Sequence, residues 1–215
     1  MGWTSTSYRW RNFQDFMREE FNDDRHEIVD YALVNRSGVY AAYRITPQDP
    51  EQKPFVIGLV VLIKWYSQGK GETPEICWKE MSESMGPCYY RCPERILKLL
   101  SPLEHIPTSS NHDWARKWRA KCWEYIETGK RWRAVKAGDV IKTDADLYFS
   151  DGRRRNLFMV MSKKPLKFRE VEQERDGRHV LSSQILGIRR SAIKEGFAVV
   201  GRGEAEKINI FAKEV

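Results

Sequence analysis

Apolar positions fall three to four residues apart between Arg9 and Phe21, where Trp10, Phe13, Phe16, Met17 and Phe21 make one stripe. That spacing predicts an amphipathic helix with its charges outside. From His26 the pattern changes to strands, and "HEIVDYALVN" and "VYAAYRIT" read as an antiparallel pair joined through the polar turn Asn35-Arg36-Ser37-Gly38. A polar loop from Pro47 to Pro54 leads into "FVIGLVVLIKWYS", a nearly unbroken apolar run that suits a central strand buried on both faces. Residues 68–75 are a Gly-rich polar connection.

The stretch "MGPCYYRCPERILKLLSP", residues 85–102, changes the pattern again. Gly86-Pro87 makes a turn. Cys92 is placed as the N-cap and Pro93 as the first residue of a short helix, since proline has no N–H to satisfy there. Ile96, Leu97, Leu99 and Leu100 anchor this helix, and Pro102 stops it. A second helix starts at "SNHD", where Ser110 and Asp113 have capping-box spacing, and runs to Thr128 with Gly129 as its C-cap. Its stripe of Trp114, Trp118, Cys122 and Tyr125 or Ile126 reads as a core face.

Beyond "GKRWRAVKAGD" the segments "DVIKT", "DLYFS", "LFMVMS", "PLKFREV", "HVLSSQILGI" and "FAVVG" are short and separated by Asp-Gly turns at 151–152 and 176–177. The expected fold is therefore α+β in two domains. Residues 1–134 form an N-terminal helix plus antiparallel sheet with two further helices, and residues 135–215 a small β-barrel, SH3-like or of another five-to-six-strand type.

The 215 residues are 41% hydrophobic, with nine Phe, nine Tyr and eight Trp, which is enough to build cores of this size. No run reaches the roughly 18 apolar residues of a membrane span, and Met1–Tyr8 lacks the charged start and apolar centre of a signal peptide, so a cytoplasmic location and no membrane partner are expected. The four cysteines then point to free thiols or metal rather than a disulfide framework.

The net charge of +7 is concentrated locally. Arg116, Lys117, Arg119, Lys121, Lys130, Arg131, Arg133 and Lys136 are opposed only by Glu124 and Glu127 in that segment. Two readings stand side by side: a phosphate-tracking strip with Trp123 or Trp132 as stacking platforms, or a solvated helix face with snorkelling side chains. Arg153, Arg154 and Arg155 sit at a hairpin tip after Asp151-Gly152, and three neighbouring arginines repel unless an anion is present. Lys163-Lys164 and Arg189-Arg190 add to that candidate.

For metal, Cys88 and Cys92 have the spacing of one zinc-ligand pair, but Cys77, Cys122, His105 and His112 supply no second close pair. No cofactor is therefore expected, with zinc at Cys88 and Cys92 as the open alternative. A lowered thiol pKa at Cys92 is a further possibility of its helix-start position. Walker A, H-E-x-x-H and G-x-S-x-G signatures are missing, and "GRGEAE" lacks the third glycine of a dinucleotide loop. Asp49 with Glu51-Gln52-Lys53 resembles a nuclease constellation only in composition, because its prolines put it in a loop.

The blocks "MGWTS", "DYALVNRSGVYAAYRI", "KEMSESMGPCYYRCPERILKLLSP", "WARKWRAKCW" and "KAGDVIKTDADLYFSDG" together resemble an uncharacterised family carried by phages, plasmids and other mobile elements of bacteria. The resemblance covers residues 1–164, with the MGPC-x3-CP-x2-IL block its most specific part. It implies a bacterial cytoplasmic context and carries no activity. Within that context the expected function is a non-enzymatic, basic accessory protein that binds DNA or RNA phosphates by shape. The alternative is a protein-binding inhibitor of a host defence nuclease, of anti-CRISPR or anti-restriction type, and the third reading is a metal-dependent nuclease.

Overall fold

The computed structural model describes residues 3–7, 13–35, 37–66, 75–85, 89–107, 112–193, 196–204 and 207–210. It divides into two units, residues 1–127 and 128–215. Among the described residues no helix is long and apolar enough to cross a membrane.

The first unit is built on a five-stranded antiparallel sheet: β1 (Thr4–Ser7), β2 (His26–Asn35), β3 (Gly38–Ile45), β4 (Phe55–Tyr66) and β5 (Glu75–Ser82), in the order β1-β5-β4-β3-β2. Alternation along β3 and β4 sends side chains to two different cores. Val39, Ala41, Leu59, Val61 and Ile63 face helix α1 (Phe13–Phe21), which contributes Phe16, Met17 and Phe21. Tyr40, Ala42 and Val60 face the other way, toward Cys92, Ile96, Leu97, Trp118 and Cys122. The apolar run of β4 thus exists because helices cover both faces of the sheet.

Helix α2 (Glu94–Leu97) is a single turn, and its N-cap is Pro93, whose carbonyl accepts the amides of Ile96 and Leu97. Cys92 therefore precedes the cap, and Leu99 and Leu100 lie beyond the helix: Leu99 is exposed and Leu100 packs on the core. Helix α3 (His112–Ala134) runs straight through Gly129, which ends nothing. The expected cap at Ser110 lies outside the described residues. Strands β1 and β5 were not legible: "TSTS" carries no apolar period, and in "EICWKEMS" the buried positions among the described side chains are just Ile76 and Trp78.

The second unit holds a six-stranded antiparallel sheet of β6 (Asp139–Tyr148), β7 (Arg154–Lys163), β8 (Leu166–Gln173), β9 (His179–Leu186), β10 (Phe197–Glu204) and β11 (Lys207–Ile210), in the order β11-β10-β6-β7-β8-β9. "DVIKT" and "DLYFS" belong to one strand, β6, with an irregularity in its pairing to β7 between Lys142 and Leu147. There Thr143 Oγ1 donates to the carbonyl of Ala145 at 2.7 Å. One face of the sheet encloses Ile141, Phe158, Val160, Phe168 and Phe197 around Trp132 from the last turns of α3. Val140, Met159 and Val171 sit in a separate cluster. The α+β class holds. The expected barrel does not close among the described residues: β9 and β11 come near one another but share no ladder of hydrogen bonds.

Candidate nucleic-acid interface

Along α3, residues Ala115, Trp118 and Cys122 are buried and Ile126 packs on the same core. Trp114, expected on that stripe, is instead 51% exposed, and of the two alternatives at its far end Ile126 is the inward one while Tyr125 is 52% exposed. A helix turns 100° per residue, so Trp114, Lys117, Lys121 and Tyr125 share an adjacent, outward stripe. Lys117 Nζ lies 5.5 Å from the centre of the Trp114 ring, and Lys121 Nζ 4.8 Å from that of Tyr90. Among the described residues Arg116 bonds to Asp113, both of them exposed, an arrangement that contributes little.

Arg119 is a correction to the expected strip. Its Nε and Nη2 donate to the two carboxylate oxygens of Glu83 at 2.6 and 2.7 Å, and Nη1 donates to the carbonyl of Ser101 at 2.7 Å. Glu83 is only 1% exposed and also accepts the amide of Gly58 at 3.1 Å. All three nitrogens of the Arg119 fork are engaged inside the protein and its charge is balanced by a buried carboxylate, so it is a structural cation and not part of an open phosphate-binding strip. Glycine is required at 58 because a Cβ there would stand 2.7 Å from the Trp118 ring.

In the second unit, Lys130 is half-buried, while Arg131 and Arg133 are exposed. Arg131 nevertheless donates to the carbonyl of Phe197 at 3.2 Å. Trp132 is 5% exposed and packs on Phe197 with ring centres 4.2 Å apart, so it is a core residue and no stacking platform. Trp123 of the first unit is half-buried against its core.

The hairpin between β6 and β7 separates its three arginines. Gly152 turns the chain at φ +78°, and the Asp151 carboxylate accepts the amide of Arg153 at 3.0 Å. Arg155 points inward, 6% exposed, with bonds at 2.5 Å to both Asp151 and Glu170. Arg155 is thus the second correction: its anion is supplied by the protein itself. Hydrogen bonds from Arg155, and then the Arg153 amide, hold the Asp151 carboxyl down at about 2. Arg153 and Arg154 stay exposed, with Arg154 stacked 4.8 Å from the Tyr148 ring.

Of the metal candidates, Cys88 lies outside the described residues. Cys92 is 1% exposed in an apolar cluster with Cys122, and burial pushes its thiol far up, the reverse of an activated helix-start thiolate. Burial likewise pushes Cys122 up to about 11. Among the described residues no three His, Cys, Asp or Glu side chains come together as a metal site. Asp49 is a turn residue, accepting the Glu51 amide at 3.0 Å and the Gln52 side chain at 3.2 Å.

Sequence reasoning missed Glu83, which looks like any charged residue in "MSESMG", and missed the pairing of lysines with aromatic rings. The only available signal was helical: Lys117 follows Trp114 by three positions, as Arg116 follows Asp113.

Residues 109–182 match the family model of a domain of unknown function, DUF6927. The matched segment takes in "WARKWRAKCW" and "KAGDVIKTDADLYFSDG" and stops short of the MGPC block. Neither a curated protein nor a solved structure matches the chain.

Proposed function

We propose that the chain is a non-enzymatic nucleic-acid-binding protein that contacts phosphates of DNA or RNA. The observation that carries this reading is the outward stripe of α3, where Lys117 and Lys121 rest on the aromatic rings of Trp114 and Tyr90 and, among the described residues, not on carboxylates. A cation on a ring keeps its full charge toward solvent, whereas one bonded to a carboxylate is neutralised locally. Arg116 adds to the first unit's surface, because its exposed pairing with Asp113 is easily exchanged for a phosphate. In the second unit, Arg153 and Arg154 of the hairpin are the corresponding cations, with the exposed Arg131 and Arg133 as further candidates. The net charge of +7 favours the same partners. The resemblance to mobile-element proteins supports an accessory role in a bacterial cytoplasm.

The test is binding of the purified chain to labelled DNA and RNA across salt. Affinity at ~50 mM salt should fall by orders of magnitude at ~200 mM. Replacing Lys117 and Lys121 together by Ala should reduce the slope of log K against log salt by about 2 without lowering the melting temperature. An undetectable complex at the lower salt rejects the reading and favours the alternative, a protein-binding inhibitor of a host defence nuclease.

A further inference from the structure

The strap Tyr89-Tyr90-Arg91 and the face of α3 border a cleft of about 480 Å³ in the first unit. Its lining includes Tyr40, Tyr89, Tyr90, Arg91, Tyr125 and Leu62, and no carboxylate side chain. The strap is pinned at two points: the Arg91 amide donates to the Tyr40 hydroxyl at 3.1 Å, and Trp118 Nε1 donates to the Tyr89 carbonyl at 2.8 Å. Its backbone is thus held in place before any ligand arrives, which lowers the ordering cost of binding. Tyr89 and Tyr125 remain 44% and 52% exposed.

The chemistry of the rim restricts the occupant. Arg91 lies 5.9 Å from the centre of the Tyr125 ring, and Lys121 sits over Tyr90. With cations already on these rings, a cationic ligand would meet like charge, unlike an aromatic cage for quaternary ammonium groups. A neutral apolar peptide would desolvate the two cations and give them nothing in return. A ligand with flat π-faces and a regularly spaced negative charge satisfies both features, since bases stack on tyrosine and phosphates meet the cations. Bases in a duplex are already stacked and paired, so the cleft suits unpaired ones.

Resting on the nucleic-acid reading above, the geometry points to this cleft as a single-strand site: unpaired nucleotides stack on Tyr89 and Tyr125, with their phosphates at Arg91 and Lys121. The experiment uses the full chain at ~50 mM salt with fluorescent dT20, U20 and a 20-base-pair duplex, lengths on the order of one or two binding sites. Both single strands, or one of them, should bind more tightly than the duplex. Tyr89→Ala and Tyr125→Ala should each weaken single-strand binding by about fivefold to a hundredfold and leave duplex binding unchanged. Tyr125→Phe should keep wild-type affinity because the stacking face survives. Unchanged melting temperatures for these half-exposed positions separate lost contacts from lost fold.

Equal binding of strands and duplex, insensitive to both tyrosine changes, overturns the cleft assignment and leaves the phosphate-binding reading standing. Failure of every oligonucleotide to bind overturns both. Salt-insensitive binding of a proline-rich peptide that depends on Tyr125, with no oligonucleotide response there, likewise overturns the assignment and gives the cleft to a protein ligand.

Discussion

At the scale of single residues, the same side-chain type is used in two opposite ways. Arg119 neutralises the buried Glu83 and the inward Arg155 pairs with the half-buried Glu170 and the exposed Asp151, whereas Arg153 and Arg154 face water. The sequence cannot separate them, because "GRRRN" offers three identical side chains and only the strand's alternation turns Arg155 inward. A pH titration reads the inward arrangement directly. The Asp151 carboxyl in the folded chain lies at about 2, below the ordinary 3.8. Its contribution to stability is therefore complete above about pH 4 and is lost as the pH falls through about 2. In Arg155→Met the Asp151 midpoint, followed by NMR, should rise toward the ordinary value. A midpoint unmoved by that change would mean that the Arg155 bond is not the cause.

At the scale of elements, the hairpin between β6 and β7 joins a structural half to an exposed half. Replacing Arg153 and Arg154 by Ala should alter stability by no more than about 0.5 kcal/mol while weakening nucleic-acid binding. Arg155→Ala should cost roughly 3 kcal/mol, because Glu170 is left largely buried without its partner. Urea denaturation of the two variants checks the contrast, and equal losses would contradict it. Helix α3 teaches a similar lesson about legibility. Its existence followed from apolar spacing, and Ile126, one of the two residues offered for the far end of its stripe, packs inward; the near end was misplaced, since Trp114 is a large apolar residue that periodicity assigns inward. Gly129 suggested an end that the helix ignores, because a glycine inside a helix costs only about 1 kcal/mol and the residues beyond it, Trp132 above all, are anchored in a core.

At the scale of the molecule, each unit carries its own cores and its own buried arginine–carboxylate group. Arg119→Met leaves Glu83 buried and unpaired, with an expected loss of roughly 3–5 kcal/mol in the first unit. Amide exchange should then accelerate in β3, β4 and β5, while β7 and β8 keep their protection. Uniform acceleration in both sheets would show that they unfold as one.

The sequence by itself determined the α+β class, most of the strands, the two-faced burial of β4 and the excess of positive charge. These depend on local period and composition, which a linear string records in full. Only the tertiary structure decided which arginines are internal, that Cys92 is a buried thiol one residue before a proline-capped turn, and that no hydrogen-bonded ladder closes the six-stranded sheet among the described residues. It alone brought Tyr90 and Arg91 beside Lys121 and Tyr125. These outcomes depend on which groups meet across long separations in the chain, and burial beside a partner changes what a given side chain is able to do.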